Sequence, residues 1–344
     1  MKRLLLALPA LAVAMIATSS IALGCAGLIG PNGAVNLIRT TTFAGYHDGV
    51  EHYVTSFQFS GGSGRFGSLI PLPGVPTKVE RGGDWTLQRL VRETEPPKVT
   101  SFRFTLGAAS AADAQVLLTA RIDALDITIL GGGGPEVGRW ATEHGFRLPP
   151  DAPEALDYYA ERSPIFMAAI FDADAAKQRG QRVGDGTPVH LTIPLDAPWV
   201  PLRILALGKN ADARVNADVY LLTDKRPALL PAPRANGMEV THSAAATASL
   251  LGDLRSDKGM DWVPANAWLT KVRIDAAASQ LRYDLAIDAF GRSPSRVAAG
   301  LERPGVAPAI PNATLSTTLV LMAITLASGG ALLFAARASR RRIA

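Results

Sequence analysis

The sequence has almost no cysteine: its 344 residues include a single one, Cys25. One thiol cannot form an intramolecular disulfide, so an ordinary hydrophobic core has to stabilise the fold. Hydrophobic residues make up 48% of the chain, and a chain of this length can bury one large core or two smaller ones. We therefore expect a globular domain without covalent cross-links.

The body of the chain also lacks net charge, although the whole sequence has a formal net charge of +5. Six of the 35 Lys and Arg residues lie at the two ends, which leaves 29 against all 30 Asp and Glu residues. A nucleic-acid partner is therefore not expected, because it would require a basic surface. The terminal basic residues are Lys2, Arg3, Arg337, Arg340, Arg341 and Arg342.

Motifs of the common enzyme classes are missing as well. The glycine run Gly131–Gly134 has neither dinucleotide-binding nor P-loop spacing, and Pro135 removes one backbone donor. Acidic residues cluster at Asp172 and Asp174, and again at 253–261, without the spacing of a calcium loop. No G-x-S-x-G elbow occurs. We therefore assign no catalytic residue, no cofactor and no metal ligand.

The N-terminus has the features of a secretory signal. Two basic residues precede an apolar run, Leu4–Ile16, and a stretch of small residues ends at Ala22-Leu23-Gly24. We predict a signal peptide over residues 1–24, with Cys25 as the first mature residue. Lipid attachment at Cys25 stays open, because the leucine usually found three positions before such a cysteine is absent.

The C-terminus contains the one long apolar run. Residues Leu315–Ala336 carry no charge and would span about 33 Å as a helix, enough to cross a bilayer. Four arginines follow, and positive residues favour the cytoplasmic side. We predict a transmembrane helix at 313–336, a cytoplasmic tail at 337–344 and, before them, a proline-containing linker at 291–312.

The segment before and after Asp48-Gly49 predicts a β-hairpin. Asp-Gly between two strand-like runs favours a two-residue type I′ turn, in which both residues have positive φ. The turn fixes the cross-strand register. The expected pairs are Tyr46 with Glu51, Ala44 with Tyr53, and Thr42 with Thr55.

Patterning elsewhere predicts an α+β, β-rich extracytoplasmic domain with a few helices, followed by the transmembrane helix. Residues 25–227 form the main domain in this prediction, and residues 228–290 form a C-terminal α/β extension. The predicted helices are Trp85–Glu93 capped by Asp84, Pro135–His144, one reaching Arg162 from an Asp151/Glu154 cap, and Ser243–Arg255. The predicted strands include Phe66–Ile70, Val99–Leu106, Gln115–Ile122, Leu125–Leu130, Ile165–Phe171, Val189–Leu195, Leu202–Leu207, Val215–Thr223, Trp268–Ile274 and Leu281–Phe290.

Several blocks resemble a known bacterial family. They are HDGVEHYVTSFQF, FGSLIPLPGVPTKVE, VGRWATEHGFRLPPDAPEALDYYAERSPIFMAAIFDA, PWVPLRILALG and ADVYLLTDKRP, in this order. The ordered set is similar to the family called domain of unknown function 2330 and covers roughly residues 25–227. The resemblance implies an exported protein, often with a C-terminal membrane segment, and implies no reaction or ligand.

Two functional hypotheses from other classes stay open beside the one we favour. We predict a membrane-anchored cell-envelope protein that is not an enzyme, whose outer domain serves as a binding or structural surface for an unidentified envelope partner. One alternative is a metal-dependent hydrolase using His47 and His52, which share a face of the hairpin but lack a third local ligand. The other is a sorting substrate whose tail is removed.

Overall fold

A computed structural model describes residues 22–23, 27–30, 33–34, 39–58, 64–95, 116–181, 186–234 and 236–305. The predicted transmembrane helix and tail, the strand Val99–Leu106 and most of the signal peptide lie outside these ranges. In the described ranges no helix is long and apolar enough to cross a membrane. The described part is strand-rich with a few helices, which confirms the α+β class.

Seventeen strands and five α-helices make up the described part of the chain. The strands are β1 (Ala22–Leu23), β2 (Gly27–Gly30), β3 (Gly33–Ala34), β4 (Arg39–His47), β5 (Val50–Gln58), β6 (Arg65–Pro71), β7 (Lys78–Arg81), β8 (Val116–Ile122), β9 (Leu125–Gly131), β10 (Ile165–Asp172), β11 (Gly186–Pro194), β12 (Trp199–Val200), β13 (Arg214–Thr223), β14 (Ala228–Leu230), β15 (Met238–Ala245), β16 (Trp268–Ala277) and β17 (Leu285–Asp288). The helices are α1 (Thr86–Thr94), α2 (Gly134–Glu143), α3 (Ala152–Ala160), α4 (Ala173–Gln178) and α5 (Ala248–Ser256).

The strands form three sheets. The large sheet has the order β15-β16-β13-β4-β5-β11-β7, with β1 pairing in parallel with β4. The second sheet has the order β3-β2-β6-β10-β9-β8, and the small sheet has the order β12-β17-β14. The β13–β4 pair is parallel and joins segments more than 170 residues apart, so the large sheet forms only when distant parts of the chain meet.

Three clusters of buried hydrophobic residues lie between the sheets, or between a sheet and the helices packed on it. The main core combines side chains of all three sheets, such as Tyr53, Met167 and Leu285. A second cluster packs α2 and α3 onto the outer face of the second sheet. A third packs α1 and α5 onto the outer face of the large sheet, against Phe43 and Val54. The main core lies on one face of the large sheet and of the second sheet, and the helix clusters lie on the other, so a central strand such as β10 is buried on both faces and is apolar almost throughout.

Several predicted elements are confirmed. The hairpin has the expected register, and its turn residues Asp48 and Gly49 have φ of 48° and 75°, as a type I′ turn requires. The apolar run Ile165–Phe171 is β10, a central strand buried on both faces. Helix α2 buries Val137 and Trp140, as its spacing predicts.

Other predictions were wrong. Leu202–Leu207 is not a strand, because its backbone makes a 3₁₀ turn at Arg203–Ala206. The helix predicted from Ser243 starts only at Ala248, where Thr247 accepts a hydrogen bond from the Leu250 N–H. The residues before it belong to β15 at the edge of the large sheet. Strand pairing with β16 there outweighs the helix propensity of alanine.

Neither predicted carboxylate cap forms its cap hydrogen bond. Asp84 does not cap α1; its N–H and those of Trp85 and Thr86 donate to the carboxylate of Asp257, from a distant loop. Asp151 is the N-cap residue of α3, as predicted, but its side chain accepts from the Gly208 N–H instead of capping the helix. At α1, a tertiary contact therefore satisfies the helix start that the local sequence pattern assigned to Asp84.

The segment after residue 227 packs closely with the rest of the described fold. Strands β15 and β16 extend the large sheet beyond β13. In the first part of the predicted linker, Ala298 and Ala299 are buried, and the Arg162 guanidinium donates to the Ala298 carbonyl over 2.6 Å. Residues up to 304 cluster in one compact unit with the preceding chain.

Candidate functional site

The hairpin places its histidines on the outer face of the large sheet. Gly45 lies opposite His52, and side chains alternate along each strand, so His47 and His52 share one face. Val54 lies opposite His190 of β11, which brings that histidine to the same face. We call His47, His52 and His190 the histidine row.

The inner two histidines of the row contact each other. His52 Nδ1 lies 3.0 Å from His190 Nε2, so one ring donates a hydrogen bond and the other accepts it. On the far side of the row, His190 Nδ1 lies 3.6 Å from Glu80 of β7. The outer histidine has a different partner, since His47 Nδ1 lies 2.7 Å from the Asp224 carboxylate.

A loop covers the inner histidines. It follows α5 and comprises Asp257–Val263, which we call the strap. Its Trp262 ring stacks on His52 with centroids 3.8 Å apart and planes 4° apart. The opposite strand carries Gly45 at this point, where a Cβ would overlap the indole ring, so only glycine lets the tryptophan lie flat on the sheet.

Burial keeps both inner histidines neutral at physiological pH. Burial, together with the adjacent His190 and then His47, lowers the pKa of His52 to about 3. Burial lowers the pKa of His190 to about 4 despite the opposing carboxylate of Glu80. Two neutral rings can share one hydrogen bond in a space closed to water.

The structure gives His47 and His52, the two histidines of the hydrolase alternative, different partners. His47 pairs with Asp224, and His52 pairs with His190 under the strap. Among the described residues, no group of three His, Cys, Asp or Glu side chains could hold a metal ion. Glu51 follows the alternation of β5 onto the opposite face and is fully buried there.

Phe290 is exposed beside the end of the large sheet that carries the Asp48-Gly49 turn. This side chain follows β17, is 51% exposed and meets Tyr46 edge to face, with centroids 5.7 Å apart. Tyr46 is fixed because its hydroxyl donates to the Leu195 carbonyl over 2.9 Å. The Arg292 guanidinium lies 4.9 Å from the centre of the Phe290 ring. We call Tyr46, Phe290 and Arg292 the Phe290 patch.

A hydrogen-bonded turn positions the exposed side chains of the Phe290 patch. The N–H groups of Phe290 and Arg292 donate to the buried carboxylate of Asp288, over 3.2 and 2.6 Å. Because such a turn already holds the aromatic ring outward, little conformational entropy would be lost if the ring were bound. An exposed phenylalanine with an arginine beside it has the composition found at the centre of protein interfaces.

The remaining sequence candidates have structural partners. The Gly133 N–H donates to Glu136, so the chain's own carboxylate occupies the start of α2. Asp172 caps α4, while Asp253 pairs with Arg89. Trp140 and Trp199 are core residues, whereas Trp85 is 45% exposed.

Sequence reasoning missed His190, Trp262 and Phe290. His190 lies 138 residues from His52, and only the pairing of β5 with β11 brings them together. The alternation within β11 could have placed His190 on one face, but not against His52. Phe290 gave no signal, because the sequence pattern placed it at the end of the strand Leu281–Phe290, whereas β17 ends at Asp288.

Comparisons with known proteins give a family and no function. No curated protein matches the sequence. Two solved structures that resemble the fold are baculovirus P35 (8% identity, 74% of this chain and 96% of that one, TM-score 0.38) and a mutated baculovirus P35 after caspase cleavage (8%, 73% and 99%, TM-score 0.38). A caspase-8/P35 complex gives 6% identity over 73% and 95%, with a TM-score of 0.36. These likenesses are too low to support any conclusion.

The sequence itself matches a family over most of its length, in agreement with the ordered blocks. The matched region is residues 20–287, which includes the hairpin, the histidine row and nearly all of β17. The chain belongs to the family described as "Uncharacterized protein conserved in bacteria (DUF2330)".

Proposed function

We propose that this protein is a membrane-anchored cell-envelope protein whose outer domain binds an envelope partner through the Phe290 patch. The predicted signal peptide and transmembrane helix support the location. The observation that carries the binding role is the Phe290 ring, half exposed and held on Tyr46 at the tip of the large sheet. Charged groups beside it would orient a partner.

The patch suits recognition of a protein surface. Phe290 offers apolar area, and the Arg292 side chain, 67% exposed, offers a planar set of donors beside it. Across the tip, Asp48 is 85% exposed and Asp224 is 41% exposed. The partner would therefore present an apolar pocket with both acidic and basic groups at its rim.

The first test concerns location. Protease added to intact spheroplasts should digest the domain between residues 26 and 305 and leave an epitope after Arg342 protected, because the bilayer shields the cytoplasmic side. A cytoplasmic marker protein should stay intact as the control. Protection of the whole domain in sealed cells would rule out the proposed location.

The second test concerns the patch. A photoreactive phenylalanine analogue at position 290 of the full-length protein should give a discrete cross-linked adduct in cells. Arg292→Glu should reduce its yield about fivefold, corresponding to a loss of ~1 kcal/mol of binding. The matched control is the analogue at Leu117 of β8, which is 42% exposed on the second sheet. The absence of an adduct at 290, or the same adduct from both positions, would contradict the proposal.

A further inference from the structure

The strap is held on the large sheet by two different kinds of contact. At its start, the Asp257 carboxylate accepts the Thr86 N–H over 2.8 Å and the Thr86 hydroxyl over 2.7 Å. At its end, Trp262 is held by packing, because in the described structure the buried indole Nε1 has no hydrogen-bond partner. The Trp262 side chain is therefore fixed by its stack on His52 and a tilted ring contact with Phe43, rather than by hydrogen bonds of its own.

That stack depends on the protonation of the histidines beneath it. The His52–His190 bond needs one ring nitrogen that accepts, so it exists only while at least one ring is neutral. With both rings protonated, neither nitrogen can accept, and two positive charges would face each other across 3.0 Å. In this buried place the repulsion is poorly screened.

The charged neighbours on each packed element do not remove this repulsion. Glu80 and Asp261 favour a charged His190, but Lys78 beside Glu80 opposes it. On β4, His47 adds to the repulsion felt by His52. Hydration would therefore be needed to screen the two charges, and the Trp262 ring stacked on His52 keeps water away from that histidine.

We propose that the strap is an acid-released latch: double protonation of the inner histidines lifts Trp262 off the large sheet while the sheet stays folded. The ladders of β5 with β4 and β11 hold the backbone beneath the latch. The Asp257 cap holds the start of the strap, and Met260 and Val263 are buried in the core, so the movement is confined to the Trp262 side chain. Opening uncovers Gly45 and the inner histidines.

Fluorine NMR of the full-length protein labelled with 5-fluorotryptophan tests the latch. The chain has five tryptophans, and Trp262→Phe identifies the resonance of Trp262. Between pH 5 and pH 3, this resonance should move to the position of a solvent-exposed indole. The resonances of the core residues Trp140 and Trp199 should stay in place over the same range. Movement of all five together would show global unfolding and overturn the latch.

A variant and a matched control assign the effect to His52. His52→Phe keeps a flat ring under Trp262 but cannot be protonated, so the transition should move at least about one pH unit lower. His144→Phe alters a second stacked His–Trp pair, in which the ring centroids of His144 and Trp140 lie 4.4 Å apart, and should leave the Trp262 transition unchanged. An unchanged transition in His52→Phe would refute the proposal, and the wild-type titration decides alone if that variant does not fold.

Discussion

Replacing Asp284 with alanine is expected to lower the free energy of unfolding by about 3–5 kcal/mol, which is the usual cost of breaking a buried ion pair. Asp284 is fully buried, and its carboxylate lies 2.5 Å from the guanidinium of Arg162, itself only 4% exposed. The same carboxylate accepts the N–H groups of Leu202 and Arg203 and the hydroxyl of Tyr159. Alanine would leave all four donors buried without this acceptor.

Chemical denaturation of the purified protein measures this effect, and the chain offers a matched control. Asp275 also lies 2.5 Å from an arginine, Arg214, but that pair is about half exposed. Asp275→Ala should cost less than about 1 kcal/mol, because water screens surface pairs. Asp284→Ala combined with Arg162→Met should be more stable than Asp284→Ala alone, since no unpaired charge remains. Equal losses for Asp284→Ala and Asp275→Ala would contradict the prediction.

The Asp284 cluster also explains a failed strand prediction. Leu202–Leu207 has the apolar content of a strand, yet Asp284 binds the N–H groups of Leu202 and Arg203. The Tyr159 hydroxyl accepts the next N–H, from Ile204, over 2.9 Å. Three successive donors are thus taken by side chains from residues 45 to 82 positions away, and the backbone turns instead of joining a ladder. No local pattern could have predicted this.

Local chemistry predicted the elements that depend on neighbouring residues. The Asp48-Gly49 turn fixed both the turn type and the register of β4 with β5, because two positive φ angles leave few alternatives. The long apolar run of β10 marked a strand buried on both faces. In each case, the determining contacts lie within one element or across one tight turn.

The candidate site depends on contacts that the sequence does not encode locally. The hairpin register correctly put His47 and His52 on one face, but their partners Asp224 and His190 come from other strands. Trp262 lies at the site because the Asp257 carboxylate caps α1 and so fixes the start of the strap, and because Gly45 leaves room for the ring. The hydrolase alternative rested on His47 and His52 sharing a face, but in the structure each of them pairs with a residue of another element.

Glu51 is expected to make the protein less stable as the pH rises, in contrast to an ordinary carboxylate. It is fully buried on the inner face of the hairpin, and burial raises its pKa from 4.5 to about 8, although the backbone of Trp199 partly opposes this. The folded state therefore binds a proton that the unfolded state releases between pH 4.5 and 8. Its stabilising effect is complete below pH 4.5 and is lost as the pH rises through 8.

Comparing Glu51→Gln with wild type at two pH values isolates this effect. Glutamine has the same shape and stays neutral, so the variant should not lose unfolding free energy in this way as the pH rises. Each pH unit in the window corresponds to about 1.4 kcal/mol. Between pH 5 and pH 8, wild type should therefore lose on the order of 3 kcal/mol of unfolding free energy relative to Glu51→Gln.

The inner histidines change the stability of both proteins over the same range, so their contribution cancels in this comparison. Their folded pKa values lie below the ordinary value of 6.5, so they destabilise the fold as the pH falls, which is the opposite sign to Glu51. Glu239→Gln provides the matched control, because Glu239 is an exposed glutamate on β15 and should show no such difference. If Glu51→Gln and wild type show parallel stability curves from pH 5 to pH 8 in urea denaturation, Glu51 is ionised in the folded protein and the prediction is wrong.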